Sequence, residues 1–169
     1  MSSKIKIDVV SDVVCPWCIV GYKRLEKAIA ELDIADKIEL EWQPFELNPA
    51  MPTEGENINE HLTKKYGSSA EDNARNRANL TSLGAAEGFT FDFYDAMRMV
   101  NTREAHVLLD YAKESGKQTA LNIRLITAFY SERKDVSDRA ILAEELKTVG
   151  LNVEEGLARL DAPNSKADI

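Results

Sequence analysis

Cysteine and histidine are scarce, with two of each in 169 residues. A structural zinc site wants four such ligands, and His61 and His106 stand isolated and far from Cys15 and Cys18, so no metal centre is expected. Basic residues are in deficit, 21 Lys and Arg against 29 Asp and Glu, for a formal net charge of -8. A field of that sign repels phosphate backbones, which argues against nucleic acid as a partner. No run approaches the roughly 20 apolar residues that a membrane-spanning helix requires, so a soluble chain with no membrane partner is expected. A signal-peptide pattern is missing too, because the apolar stretch after Lys6 is broken by Asp8 and Asp12. The expected compartment is therefore cytoplasmic. Structural disulfides are rare there, and a bridge between residues three apart constrains little unfolded chain. The two cysteines call for a chemical explanation.

What is present is ordinary globular material, 44% hydrophobic and 30% charged. Lys4 to Val10 (K-I-K-I-D-V-V) alternates and then closes on a valine pair, which predicts a strand that becomes buried on both faces. Val20, Arg24, Leu25, Ala28, Ile29 and Leu32 recur at three- and four-residue spacing and predict an amphipathic helix over 17–32. Lys37 to Gln43 (K-I-E-L-E-W-Q) alternates again and stops at Pro44. Strand, helix, strand within about 40 residues is a βαβ unit with parallel strands. After a polar linker from Pro49 to Glu56 almost everything carries helical signals. Capping pairs are read at Asn57 with Glu60, Ser68 with Glu71, Asn101 with Glu104 and Asn152 with Glu155, and helix ends at Gly67, Gly88, Gly116 and Gly150. Ala105, Leu108, Leu109 and Ala112, then Leu121, Leu125, Ala128 and Phe129, then Ile141, Leu142 and Leu146, supply the inward faces of a bundle. Phe89 to Phe93 (F-T-F-D-F) alternates over only five residues and is read as a connector whose aromatics plug a seam between helices.

Ser11 to Cys18 (S-D-V-V-C-P-W-C) lies between the first strand and the first helix. Cysteines at i and i+3 share one face of a helical turn, and Pro16 suits the first turn, where its missing N–H costs nothing. The helix N-terminus stabilises a thiolate at Cys15 and is expected to lower its pKa from about 8.5 toward roughly 3.5–7.5. Because nucleophilicity falls as the pKa falls, that shift sets the direction of exchange more than its speed. Cys18, one turn deeper, is expected to be shielded, to keep a higher pKa and to act as the resolving thiol. Trp17 is either a flat apolar rim for an incoming peptide or glutathione, or a packed side chain. His106 is read as a packing histidine and Asp12 as a turn or cap residue.

These residues, with Q-P-F-E-L-N-P at 43–49 and N-T-R-E-A-H-V-L-L at 101–109, resemble the DsbA-like thioredoxin-fold thiol–disulfide oxidoreductases of the FrnE type over most of the chain. The resemblance implies an α/β fold in which a thioredoxin-like βαβ unit is followed by a helical insertion. It places the N-terminal half with its cysteine pair at 1–50, the insertion at 51–151, and a helix leading back toward the second half of the sheet at 152–169. It implies that Cys15 and Cys18 are catalytic, that substrate docks near Pro16, Trp17, Gln43 and Asn101, and that the partners are small thiols or peptide thiols. No metal or nucleotide is needed, while glutathione is admitted as a co-substrate. Related glutathione-dependent isomerases and transferases carry serine at the first cysteine, so the intact Cys15 favours redox chemistry. One departure stands out: the family returns from its insertion into a cis-proline loop, two strands and a last helix. The prolines here are 16, 44, 49, 52 and 163, and no apolar strand follows Pro163. The second half of the sheet is therefore expected to be missing and turnover impaired, unless a homodimer pairing strand edges, or another partner, covers the sheet. The reading from another class is a binding module in which the cysteines are a remnant.

Overall fold

A parallel pair of strands and the helix between them open the computed structural model, which describes residues 3–162. Strand β1 (Ile5–Ser11) pairs with β2 (Ile38–Pro44) in register from Ile5 opposite Ile38 to Ser11 opposite Pro44. Helix α1 (Pro16–Glu31) lies between them in sequence, and a 3₁₀ turn at Ala35–Lys37 leads into β2. The expected βαβ unit is present. Pro163 lies outside the described residues.

The expectation that β1 becomes buried on both faces does not hold, since Ile5 is 59% and Val10 61% exposed. Among the described residues the sheet has two strands, so β1 has a neighbour along one edge only. The expected inward stripe of α1 is likewise covered only near its start. Ile19, Val20 and Tyr22 are buried, whereas Leu25 and Ile29 are half-buried and Ala28 and Leu32 exposed. The other edge of β2 is closed in an unusual way. Gln118 of the later helix α5 (Gln118–Tyr130) donates its amide to the Trp42 carbonyl at 3.1 Å and accepts from the Trp42 N–H at 3.0 Å. One side chain thus supplies both bonds that a neighbouring strand would make. The Trp42 indole donates to Thr119 Oγ1 at 2.9 Å, and its ring meets Tyr22 of α1 with centroids 4.9 Å apart.

Beyond the linker, the two-residue strands β3 (Glu56–Asn57) and β4 (Arg98–Met99) pair antiparallel, a feature too short for periodicity to reveal. Around them run α2 (Ile58–Tyr66), α3 (Ala70–Ala86), α4 (Arg103–Lys113), α5, α6 (Arg139–Thr148) and α7 (Val153–Asp161). Helix α4 packs against α5 and α7, and α6 against both of those. Of the inward positions read from the sequence, all on α4 and α5 are buried, as are Leu142 and Leu146, while Ile141 is half-buried. The buried Glu145 receives Arg124 at 2.7 Å and so brings its charge into the bundle paired.

Two of the four caps stand: Asn57 accepts from the N–H groups of Asn59 and Glu60, and Asn152 from that of Glu155. The third is shifted by one residue. Ser69 and Asp72 form the reciprocal box at the head of α3, because Ser68 is already bonded to Asn73 at 2.6 Å. The fourth is corrected as well: Thr102 precedes α4, and Asn101 instead accepts from the Arg103 N–H and donates to the Met51 carbonyl, both at 3.0 Å. All four predicted glycines have left-handed backbone, as a helix end requires.

The Phe89–Phe93 segment is a connector, as expected. Phe89 and Phe91 are buried, Phe91 stacks on Phe93 at 5.4 Å, and both meet the edge of Tyr130. Gly84 of α3 admits this plug, because a Cβ there would lie 2.6 Å from the Phe91 ring and 2.8 Å from the Phe89 carbonyl. Gly84→Val is expected to cost about 1–3 kcal/mol by overpacking, read as a lower urea midpoint with an unchanged slope.

Candidate functional site

Helix α1 begins at Pro16 with Cys15 as its N-cap, and no acidic residue in the first turn offsets the partial positive charge there. Cys15 and Cys18 are unbonded, half-buried and 2.8 Å apart. At that distance ionisation of one thiol bears directly on the other. With the Cys15 S–H donated to it, Cys18 is drawn down to about 6. Burial and the Asp12 carboxylate oppose that shift, while the Ser11 hydroxyl and the Asp12 N–H assist it. Cys15, holding its proton toward a charged neighbour, is pushed well above its ordinary value. The sequence reading placed the first charge on Cys15. The N–H groups of Cys18 and Trp17 pull Cys15 in that direction, while the neighbouring Cys18 and burial push it up. Nor is Cys18 the more shielded of the two, since both are half-buried.

The loop that carries Cys15 is anchored by Asp12. Its carbonyl accepts from the Cys15 N–H at 3.0 Å. Its Oδ1 accepts from the Val13 N–H at 2.8 Å and meets His106 Nε2 at 3.0 Å, and its Oδ2 accepts from the Leu47 N–H at 2.8 Å. One buried carboxylate thus joins the cysteine loop, the segment after β2 and helix α4. From α5 the Tyr130 hydroxyl donates to the Val14 carbonyl. Burial, reinforced by charge on Cys15, Asp12 and Cys18, holds that phenol well above its ordinary pKa and therefore neutral.

A family model described as a DSBA-like thioredoxin domain matches residues 6–169. The chain belongs to the DsbA-like thioredoxin family. YwbO of Bacillus subtilis is 30% identical to it over 148 residues, which are 88% of this chain and 68% of that protein. A probable DsbA oxidoreductase from Streptomyces coelicolor superposes with a TM-score of 0.89 at 34% identity, covering 96% of this chain and 70% of that one. The cytosolic disulfide reductase DsbM of Pseudomonas aeruginosa, solved with GSH, shares the fold with a TM-score of 0.65 at 15% identity, over 96% of this chain and 75% of that one.

In this DsbA-like chain the residues singled out in the sequence fall into two groups. Cys15, Pro16, Trp17 and Cys18 lie together at the head of α1, with Trp17 53% exposed rather than packed. Gln43 and Asn101 bond elsewhere: Gln43 donates to Asp8 at 3.1 Å, and Asn101 ties the start of α4 to Met51 in the linker. The sequence pattern assigns no part to Ser11 or Tyr130. The usable signal was weak, a serine at the last position of a strand leading into the cysteines and a tyrosine ending an apolar helix. His61, the other histidine, pairs with Glu56 at 2.9 Å on α2. No group of three or more His, Cys, Asp or Glu able to hold a metal occurs among the described residues. No helix among them is long and apolar enough to cross a membrane.

Proposed function

We propose that this DsbA-like domain is a cytoplasmic thiol–disulfide oxidoreductase acting on small thiols and peptide thiols. The observation that carries the reading is the pair of unbonded, half-buried thiols 2.8 Å apart at the head of α1. Ionisation of Cys15 places the charge at the N-cap of α1, where the N–H groups of Cys18 and Trp17 favour it and no carboxylate is among the groups acting on it. Cys15 is therefore assigned the attack on a substrate disulfide. An S–S bond forms to Cys15, the substrate bond breaks, and one thiolate departs. Cys18 then attacks the Cys15 sulfur, closes the intramolecular disulfide and releases the second thiolate. Two electrons pass from the protein to the substrate, and the reverse sequence oxidises a dithiol.

The exposed Trp17 beside the pair supplies an apolar face for the incoming chain. The DsbM neighbour, solved with GSH, suggests glutathione as the first probe. Mixing the reduced protein with glutathione disulfide should give a mixed disulfide located on Cys15 by mass spectrometry, followed by the Cys15–Cys18 bond and two equivalents of free glutathione. If neither cysteine takes up glutathione at pH 7 while free cysteine in the same buffer does, the oxidoreductase reading falls and a binding role replaces it.

A further inference from the structure

The peptide between Val14 and Cys15 is held at both of its polar ends. Its N–H, on Cys15, donates to the Asp12 carbonyl at 3.0 Å, and its C=O, on Val14, accepts from the Tyr130 hydroxyl. Val14 is 1% exposed and lies one residue before the N-cap of α1. Its carbonyl therefore stands outside the helical ladder, and among the described residues no backbone N–H reaches it. The far side of Cys15 is fixed as well, because Pro16 confines the residue before it to the extended region, where Cys15 has φ -87° and ψ 107°. With the peptides on both sides held, the backbone sets the direction in which Cys15 points its sulfur.

Tyr130 is placed to act as a rigid prop. It is fully buried at the end of α5, and its ring lies 5.1, 5.7 and 4.7 Å from the rings of Phe91, Phe93 and Phe129. Its own carbonyl accepts from the Asp92 N–H at 2.7 Å. Ring and backbone are thus fixed without help from the hydroxyl, which meets Val14 already ordered. The bond also bears on charge. In a planar trans peptide the carbonyl oxygen lies beside the next Cα, so the partial negative charge of the Val14 oxygen sits against Cys15. The Tyr130 O–H offsets it. The influence runs both ways, since charge on Cys15 and on Cys18 adds to burial in pushing the phenol upward.

Building on the oxidoreductase reading, we propose that Tyr130 is a positioning residue for the exchange reaction: through the Val14 carbonyl, the helical insertion favours the dithiol over the disulfide and makes the pair a stronger oxidant. In the reaction with glutathione disulfide, two protein S–H bonds and the glutathione S–S bond give way to the Cys15–Cys18 bond and two glutathione thiols. Two electrons pass to glutathione, and Tyr130 takes no part in the exchange. It moves the equilibrium because its bond is worth more when Cys15 is a free, ionisable thiol than when that sulfur is tied into the disulfide. A carbonyl left bare beside Cys15 penalises the thiolate, and a thiolate that is harder to form leaves the disulfide harder to reduce.

The test is Tyr130→Phe, which removes one oxygen and keeps the ring that packs on the phenylalanines. In glutathione buffers of set composition, the ratio of oxidised to reduced protein should rise by roughly threefold to tenfold, the worth of one hydrogen bond felt mainly by one of two states. Urea unfolding of the two forms reads the same quantity independently, because the unfolding constant of the reduced form must rise more than that of the oxidised form by that factor. Ile126→Val removes one buried methylene from the same helix and leaves the hydroxyl in place. It should weaken both forms alike and leave the glutathione equilibrium at its native value. If Tyr130→Phe weakens both forms equally with the equilibrium unmoved, or moves it toward the dithiol, the assignment is wrong although the exchange chemistry stands. If Ile126→Val shifts the equilibrium as far, packing of the bundle and not the hydroxyl sets it, and the assignment again falls. A native protein that does not exchange with glutathione overturns the oxidoreductase reading as well.

Discussion

Replacing Asp12 with alanine is expected to lower the unfolding free energy by about 3–5 kcal/mol, the scale for taking one buried carboxylate acceptor from three hydrogen-bond partners at once. The side chains of Asp12 and His106 are 1% and 2% exposed. Alanine would leave the Val13 and Leu47 N–H groups and His106 Nε2 facing one another across a small void. Each orphaned donor costs about 1–3 kcal/mol when water cannot reach it. Asp12→Asn should cost less, because it keeps one acceptor oxygen and loses mainly the bond its amide cannot make. Urea unfolding of the reduced protein at pH 7 measures both. A loss below about 1 kcal/mol for the alanine variant would mean that water enters and satisfies the donors.

That pair also marks the boundary of what the sequence can tell. The parallel strands and the helix between them follow from alternation, a three-to-four spacing and a proline at the first helical position, all of them local patterns. The bundle faces followed in the same way. The Ser68–Glu71 cap was misplaced because S-S-A-E-D satisfies the capping rule at two adjacent positions, and the choice was made by Asn73, five residues from Ser68. β1 was expected to be covered on both faces because its valines say only that burial would be favourable, while coverage depends on which strands lie alongside. Asp12 and His106 are 94 residues apart, and no pattern of spacing links them. A careful reader had one clue: the A-H-V-L-L run leaves no exposed position for the imidazole, and a buried imidazole requires a partner.

The second large effect concerns the cysteines taken one at a time. Cys15→Ala should abolish exchange with glutathione disulfide, with a fall of at least roughly a hundredfold, because the assigned nucleophile is gone. It should also raise the pKa of Cys18, whose depression to about 6 rests first on the Cys15 S–H. A thiol with a midpoint near 6 is mostly ionised at pH 7, and one back near 9 is about one per cent ionised, so alkylation of Cys18 at pH 7 should slow by roughly tenfold to a hundredfold. Cys18→Ala should do the reverse. Cys15, released from the neighbouring charge that raises it, titrates downward and captures glutathione, but the mixed disulfide persists. Mass spectrometry and the pH dependence of alkylation read both variants. A Cys15→Ala protein whose Cys18 still titrates near 6 would show that Ser11 and the Asp12 N–H, and not the neighbouring thiol, set its acidity.

The distant supports of the cysteine loop have a consequence during synthesis. Val14 waits for Tyr130, 116 residues later, and Asp12 waits for His106. At about 5–20 residues per second, Cys18 precedes Tyr130 out of the ribosome by roughly ten seconds. Over that interval the nascent chain carries its two thiols as a flexible dithiol, without the anchors that fix their spacing. The same residues that tune the finished site thus keep it from being tuned early, and the thiols acquire their working acidity only when the last of the loop's partners has folded against them.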